Sequence, residues 1–113
     1  MISEDIADRY AEALIELGNE EGILQKISKD VKKIQEIISS SDDLKVFLQH
    51  PLVPEEDKKG MIKKIFEERI REEMVNFLSL LVDSSREIYL EMICARFLDK
   101  KRDEQNLTQV KVY

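Results

Sequence analysis

Apolar residues recur along this chain at intervals of three and four, the spacing that gathers them on one face of a helix rather than one face of a strand. In the opening segment the pattern is double. Ile6, Tyr10, Ala13 and Leu17 form one helical stripe, and Ala7, Ala11, Leu14, Ile15 and Gly18 form a second beside it. Ser3 is placed to cap this helix, and Glu4 and Asp5 suit the positive end of its dipole. The helix is predicted to run to about Glu20 and to stop near Gly22.

A second helix is predicted from Ile23, with Ile27, Val31, Ile34 and Ile38 on its buried face and Lys and Glu opposite. The serine run Ser39–Ser41 ends it, and Ser40 is read as the cap of a short third helix carrying Leu44, Phe47 and Leu48. "HP" at His50–Pro51 closes that helix. Pro54 fits the first position of a fourth, ahead of three acidic residues, with Met61, Ile62, Ile65 and Phe66 as its apolar stripe. A fifth helix is expected over Arg71 to Val82, turning Met74, Phe77, Leu78 and Leu81 inward and leaving Leu80 on the opposite side. Ser84 and Glu87 have capping-box spacing, which predicts a sixth and longest helix to about Arg102 that buries some of Ile88, Tyr89, Met92, Ile93 and Phe97.

The last stretch, "NLTQVKVY", changes period. Leu107, Val110 and Val112 lie among polar residues in a segment with β-favouring Thr, Val and Tyr, and a strand is expected there. The division that follows is a six-helix domain over 1–105 and a linker or first strand of another domain over 106–113. No repeat with a period of 30 to 50 residues is present.

Composition agrees with an all-α, single-core reading: two prolines, three glycines, no tryptophan and 37% charged residues favour long helices with solvated outer faces. The net charge of −6 opposes binding to phosphate backbones, because the basic clusters "KKGMIKK" and "DKKRDEQ" have acids interleaved around them. No nucleic-acid partner is expected. No apolar run approaches the roughly 20 residues that span a bilayer, and the N-terminus shows neither a secretory nor a transit pattern.

Chemistry is sparse. The single histidine, His50, lies in a helix-to-loop turn with no sequence-evident partner, and reads as structural. The single cysteine, Cys94, sits between Ile93 and Ala95 in the manner of a small buried hydrophobe, and with no second Cys it suits a reducing compartment. The glycines are too dispersed for a phosphate loop, and adjacent pairs such as Glu72/Glu73 project about 100° apart on a helix, so they do not converge. No catalytic residue, metal site or cofactor is expected.

Four blocks, in this order, carry a resemblance: "IADRYAEAL", "LKVFLQHPLVPEEDKK", "VNFLSLLVDSSR" ending in Arg86, and the closing "VKVY". Together they resemble the N-terminal domain of the δ subunit of bacterial F-type ATP synthase, whose mitochondrial relative is the oligomycin-sensitivity-conferring protein. The chain departs from that family at Ser84–Ser85, where Asn-Gly is usual, and in its charge-rich last helix around Cys94. The resemblance implies a compact six-helix bundle, non-catalytic and free of cofactors, that caps the catalytic head and holds it against the torque of the rotor. It also implies a C-terminal domain, beyond residue 113, that grips the membrane-anchored b stalk. The isolated chain is then expected to be a monomer, and the assembled one peripheral on the cytoplasmic face of a bacterial plasma membrane.

In that family an amphipathic N-terminal helix of an α subunit docks between the first and fifth helices. Carried onto this chain, the groove consists of Ile6, Tyr10, Ala13, Leu17, Asn76, Phe77 and Leu80, with Ala13 small enough for a partner backbone to approach. Taken without the resemblance, both stripes of the first helix are also compatible with a helix buried over most of its circumference. A helical adaptor that receives an amphipathic helix from some other partner is the alternative function.

Overall fold

The computed structural model describes the backbone of residues 4–111 and the side chains as far as Asp103. Six α-helices follow one another: α1 (Glu4–Glu21), α2 (Leu24–Ser39), α3 (Asp42–Gln49), α4 (Glu55–Phe66), α5 (Glu72–Asp83) and α6 (Leu90–Lys111), with a 3₁₀ turn over Glu87–Tyr89. The long α6 is the spine: α1 and α2 pack along it, while α5 packs on α4. Phe66 and Phe97 are completely enclosed, joined in the core by Ile27, Val31 and Ile34 of α2 and Leu78 and Leu81 of α5.

The chain leaves α1 by a geometry that requires its glycines. Gly22 has φ of 68°, the N–H of Ile23 donates to the Gly18 carbonyl at 2.8 Å, and that of Gly22 to Asn19, which together make a Schellman turn. Gly18 serves a second purpose, since a Cβ there would lie 2.8 Å from Leu24 Cα, so its bare backbone lets α2 start directly against α1. A similar turn ends α5. The Arg86 N–H donates to Leu81 and the Ser85 N–H to Val82, with Ser85 in the left-handed region at φ 57°. Serine thus adopts the conformation in which glycine is usual, at a steric cost of about 1–2 kcal/mol.

Several local expectations are corrected. The cap of α3 is Ser41, whose Oγ accepts from the Leu44 N–H at 3.2 Å, while Ser40 closes α2. Pro54 is the residue before the first turn of α4 rather than within it. Ser84 ends α5 instead of capping α6, because Glu87 is drawn away from a capping role: its Oε1 pairs with Lys58 Nζ at 2.9 Å, both side chains nearly out of solvent. Phe77 is only half-buried, and Val75 and Val82 take inward positions on α5 that had not been assigned to them. The strand expected over 106–113 is not formed, since α6 stays helical to Lys111; Val112 and Tyr113 lie outside the described residues. No Gly or Pro interrupts the chain from Leu90 to Lys111. A single extended segment would also leave unpaired the backbone groups that a helix satisfies internally.

Polar contacts fix the connections. Asp30 on α2 is 5% exposed, and its Oδ2 accepts from the Arg71 N–H at 2.9 Å, covering a free donor at the start of α5. Lys33 Nζ donates to the Arg69 carbonyl at 3.1 Å, so α2 holds both sides of the α4–α5 connection.

Candidate functional site

Three arcs of α1 differ in surroundings. Ala7, Ala11, Leu14, Ile15 and Gly18 are buried, and this is the stripe that holds the bundle together. One flank is charged: Arg96 meets Glu4 at 3.0 Å and Asp8 at 3.7 Å, while Lys100 meets Glu12 at 3.2 Å and Asp8 at 3.9 Å. The remaining flank carries Ile6, Tyr10 and Leu17, half-buried against the core, and Ala13, which is exposed.

Across from it lie the candidates on α5. Phe77 is half-buried, Asn76 is exposed and Leu80 is 52% exposed, far more than expected of a core leucine. The two helices make few close backbone approaches, and one contact that joins them is between rings. Tyr10 and Phe77 meet edge to face with centroids 6.0 Å apart and planes at 71°, a geometry worth about 0.5–1.5 kcal/mol beyond the area covered. The aromatic pair thus bridges two separated helices, with apolar side chains on both sides of it half open to solvent. Glu16 and Glu20, three residues beyond Ala13 and Leu17, are exposed and border the α1 wall with negative charge.

The structure therefore brings Tyr10 and Phe77 into contact and leaves Ala13, Asn76 and Leu80 open. What the sequence did not disclose is the charged flank of α1. Its signal was present as acids at positions 4, 8 and 12 facing bases at 96 and 100, but pairing them requires knowing that α1 lies along α6.

The other chemistry-bearing residues are structural. His50 Nδ1 accepts from the Leu52 N–H at 3.1 Å and its carbonyl from the Val53 N–H, so the ring stabilises the turn after α3. Cys94 is 3% exposed; desolvation, with a lesser contribution from Glu91, pushes its thiol up to about 12, where thiolate chemistry is closed at neutral pH. Among the described residues no group of three or more His, Cys, Asp or Glu side chains is arranged to hold a metal ion, and no helix is long and apolar enough to cross a membrane.

Residues 6–113 match the family described as ATP synthase delta (OSCP) subunit. The chain belongs to this family. It is 36% identical over 111 residues, 98% of its length, to ATP synthase subunit delta of Synechococcus sp. (strain JA-2-3B'a(2-13)). It is 33% identical to ATP synthase subunit delta of Halothermothrix orenii over 112 residues, and 38% identical over the same span to the chloroplastic subunit delta of Emiliania huxleyi, 99% of the chain in each case. It spans 61%, 59% and 62% of those relatives' own lengths. The delta (OSCP) family is a family of non-catalytic subunits, in keeping with the structural roles of His50 and Cys94.

Proposed function

We propose that the chain is the head-binding part of the peripheral stalk of an F-type ATP synthase, and that its α1/α5 groove receives the amphipathic N-terminal helix of an α subunit. The observation that carries the reading is the Tyr10–Phe77 ring contact, which joins the apolar flank of α1 to α5 while Ala13 and Leu80 stay exposed. A helix laid there would place its apolar anchors against Ile6, Tyr10, Leu17 and Phe77, and its backbone over Ala13. Glu16 and Glu20 at the border favour a partner segment with Lys or Arg at its edges. Retention under rotor torque demands slow dissociation, which buried apolar anchors provide better than exposed ion pairs worth about 1 kcal/mol or less.

In the full assembly the chain acts as a peripheral component on the cytoplasmic face of a bacterial membrane. The b stalk is the second proposed partner, met by the part of the family's length that this chain does not span. The test is binding of a synthetic peptide from the α N-terminus, followed by calorimetry. Ala13→Arg is expected to abolish binding while leaving the helical circular-dichroism spectrum intact, and Leu80→Asp to weaken it about tenfold or more without lowering the melting temperature. Undiminished binding by both variants would remove the groove from the account, and unfolding by Leu80→Asp would make Leu80 a core residue. Equal affinity for unrelated amphipathic helices would point to a general adaptor instead.

A further inference from the structure

Asp30 departs from its surroundings on α2. It falls on the apolar stripe, three residues after Ile27 and four before Ile34, and is buried with them. Aspartate is a weak former of helix interiors, and burying its carboxylate is costly unless donors meet it. The donor comes from 41 positions along the chain, the Arg71 N–H at 2.9 Å from Oδ2. That amide belongs to the residue that opens α5, at the positive end of the helix dipole, where a carboxylate is favoured.

α5 has no side-chain cap of its own. Arg71 stands in the capping position but makes no capping hydrogen bond, and its guanidinium turns instead to Glu73 at 3.2 Å. Three residues further along α2, Lys33 Nζ donates to the Arg69 carbonyl at 3.1 Å. Asp30 and Lys33 thus grip the chain on either side of Ile70, which is itself buried. From this anchored turn α5 runs on without Gly or Pro, and Phe77 follows Arg71 by six residues, under two helical turns.

We propose that Asp30 is a positioning residue for the α1/α5 groove: by holding the Arg71 N–H it fixes the start of α5, and through that helix the place where Phe77 meets Tyr10. Asp30 stands on α2, which contributes no residue to the groove, so its effect reaches a docked partner only through α5. What the groove binds rests on the function proposed above. The positioning itself rests on the Asp30–Arg71 and Tyr10–Phe77 contacts, and is read without any partner.

The experiment compares the isotope-labelled chain with three variants at this position. Ring-proton shifts of Tyr10 and Phe77 are read first without ligand, and affinity for the α N-terminal peptide is then measured by calorimetry. Asp30→Asn keeps an acceptor oxygen in place, Asp30→Glu keeps the charge but moves the acceptor by one methylene, and Asp30→Ala keeps neither. Asp30→Asn is expected to retain the parent's ring shifts and its affinity within about twofold. Asp30→Glu should displace the ring shifts and weaken binding about threefold, and Asp30→Ala about tenfold. Ile34→Val loosens the same face of α2 without touching Asp30, so it should lower the urea midpoint and leave both readouts unchanged. Should Asp30→Ala fail to fold, the contrast between Asp30→Asn and Asp30→Glu decides the matter. Parental ring shifts in Asp30→Glu, or displacements of the same size in Ile34→Val, would overturn the proposal. A parent chain that does not bind the peptide would overturn the groove reading instead, and the ring shifts would still decide the positioning.

Discussion

The two flanks of α1 differ in kind although they run along the same short helix. Toward α6, Glu4, Asp8 and Glu12 meet Arg96 and Lys100, so each charged group has its counterpart within the chain. Even Asp8 Oδ1, buried without a hydrogen bond, lies 3.7 and 3.9 Å from cationic nitrogens. Toward α5, the apolar flank is matched only in part: Tyr10 has the edge of Phe77, while Ala13 and Leu80 face solvent. The lesson is that apolar residues at helical spacing fall into two populations with different purposes. Those enclosed within the chain hold the bundle, and those left half open are the ones on which the proposed docking reading rests.

That contrast can be broken or sharpened by mutation. The largest effect is expected from placing the same charge on the two arcs. Ala11 is 0% exposed, so Ala11→Arg should cost more than about 3 kcal/mol by burying an unpaired guanidinium or forcing α1 off α6. Ala13→Arg should stay within about 0.5 kcal/mol of the parent. Cys94 gives an independent readout, since its buried, high-pKa thiol should resist alkylation at pH 8 in the parent and in Ala13→Arg, and react readily in Ala11→Arg. Equal labelling of the two variants would erase the distinction between the arcs.

A smaller loss, about 2 kcal/mol by urea denaturation, is expected for Gly18→Ala, whose new Cβ meets the backbone of Leu24 at 2.8 Å and must separate α1 from α2. The charged flank should be weaker still. Arg96→Gln with Lys100→Gln is expected to cost about 1 kcal/mol in low salt, and the difference from the parent should shrink at about 1 M sodium chloride, where exposed pairs are screened. A loss that persists undiminished in high salt would show that packing of the Arg96 and Lys100 stems dominates over charge.

Sequence pattern alone reached the helices because their signals are local. Ile27, Val31, Ile34 and Ile38 declare α2 by spacing, and all four are buried. It failed where a local signal competes with a distant partner. Glu87 has the spacing of a capping residue, but Lys58, 29 positions away, claims its carboxylate. The αL turn at Ser85 was concealed by a residue that does not advertise positive φ. At the carboxyl end, β-favouring side chains suggested a strand, while an uninterrupted α6 carries the backbone through the same positions to Lys111. Of the proposed groove, the surplus of apolar residues on α1 and one stray leucine on α5 were legible. Its ring-to-ring bridge was not, because Tyr10 and Phe77 lie in separate helices whose relative placement no local pattern encodes.

The central claim is that the open flank of α1 and the facing side of α5 form a single recognition surface. Its most direct test is an amide chemical-shift map of the isotope-labelled chain with a saturating peptide from an ATP synthase α N-terminus. The account predicts that the largest changes fall at Ile6, Tyr10, Ala13, Leu17, Asn76, Phe77 and Leu80, with α3 and the charged flank around Arg96 and Lys100 nearly silent. Saturable binding whose footprint lies on α3 or along the α1–α6 ladder, with the Tyr10–Phe77 region unperturbed, would contradict it.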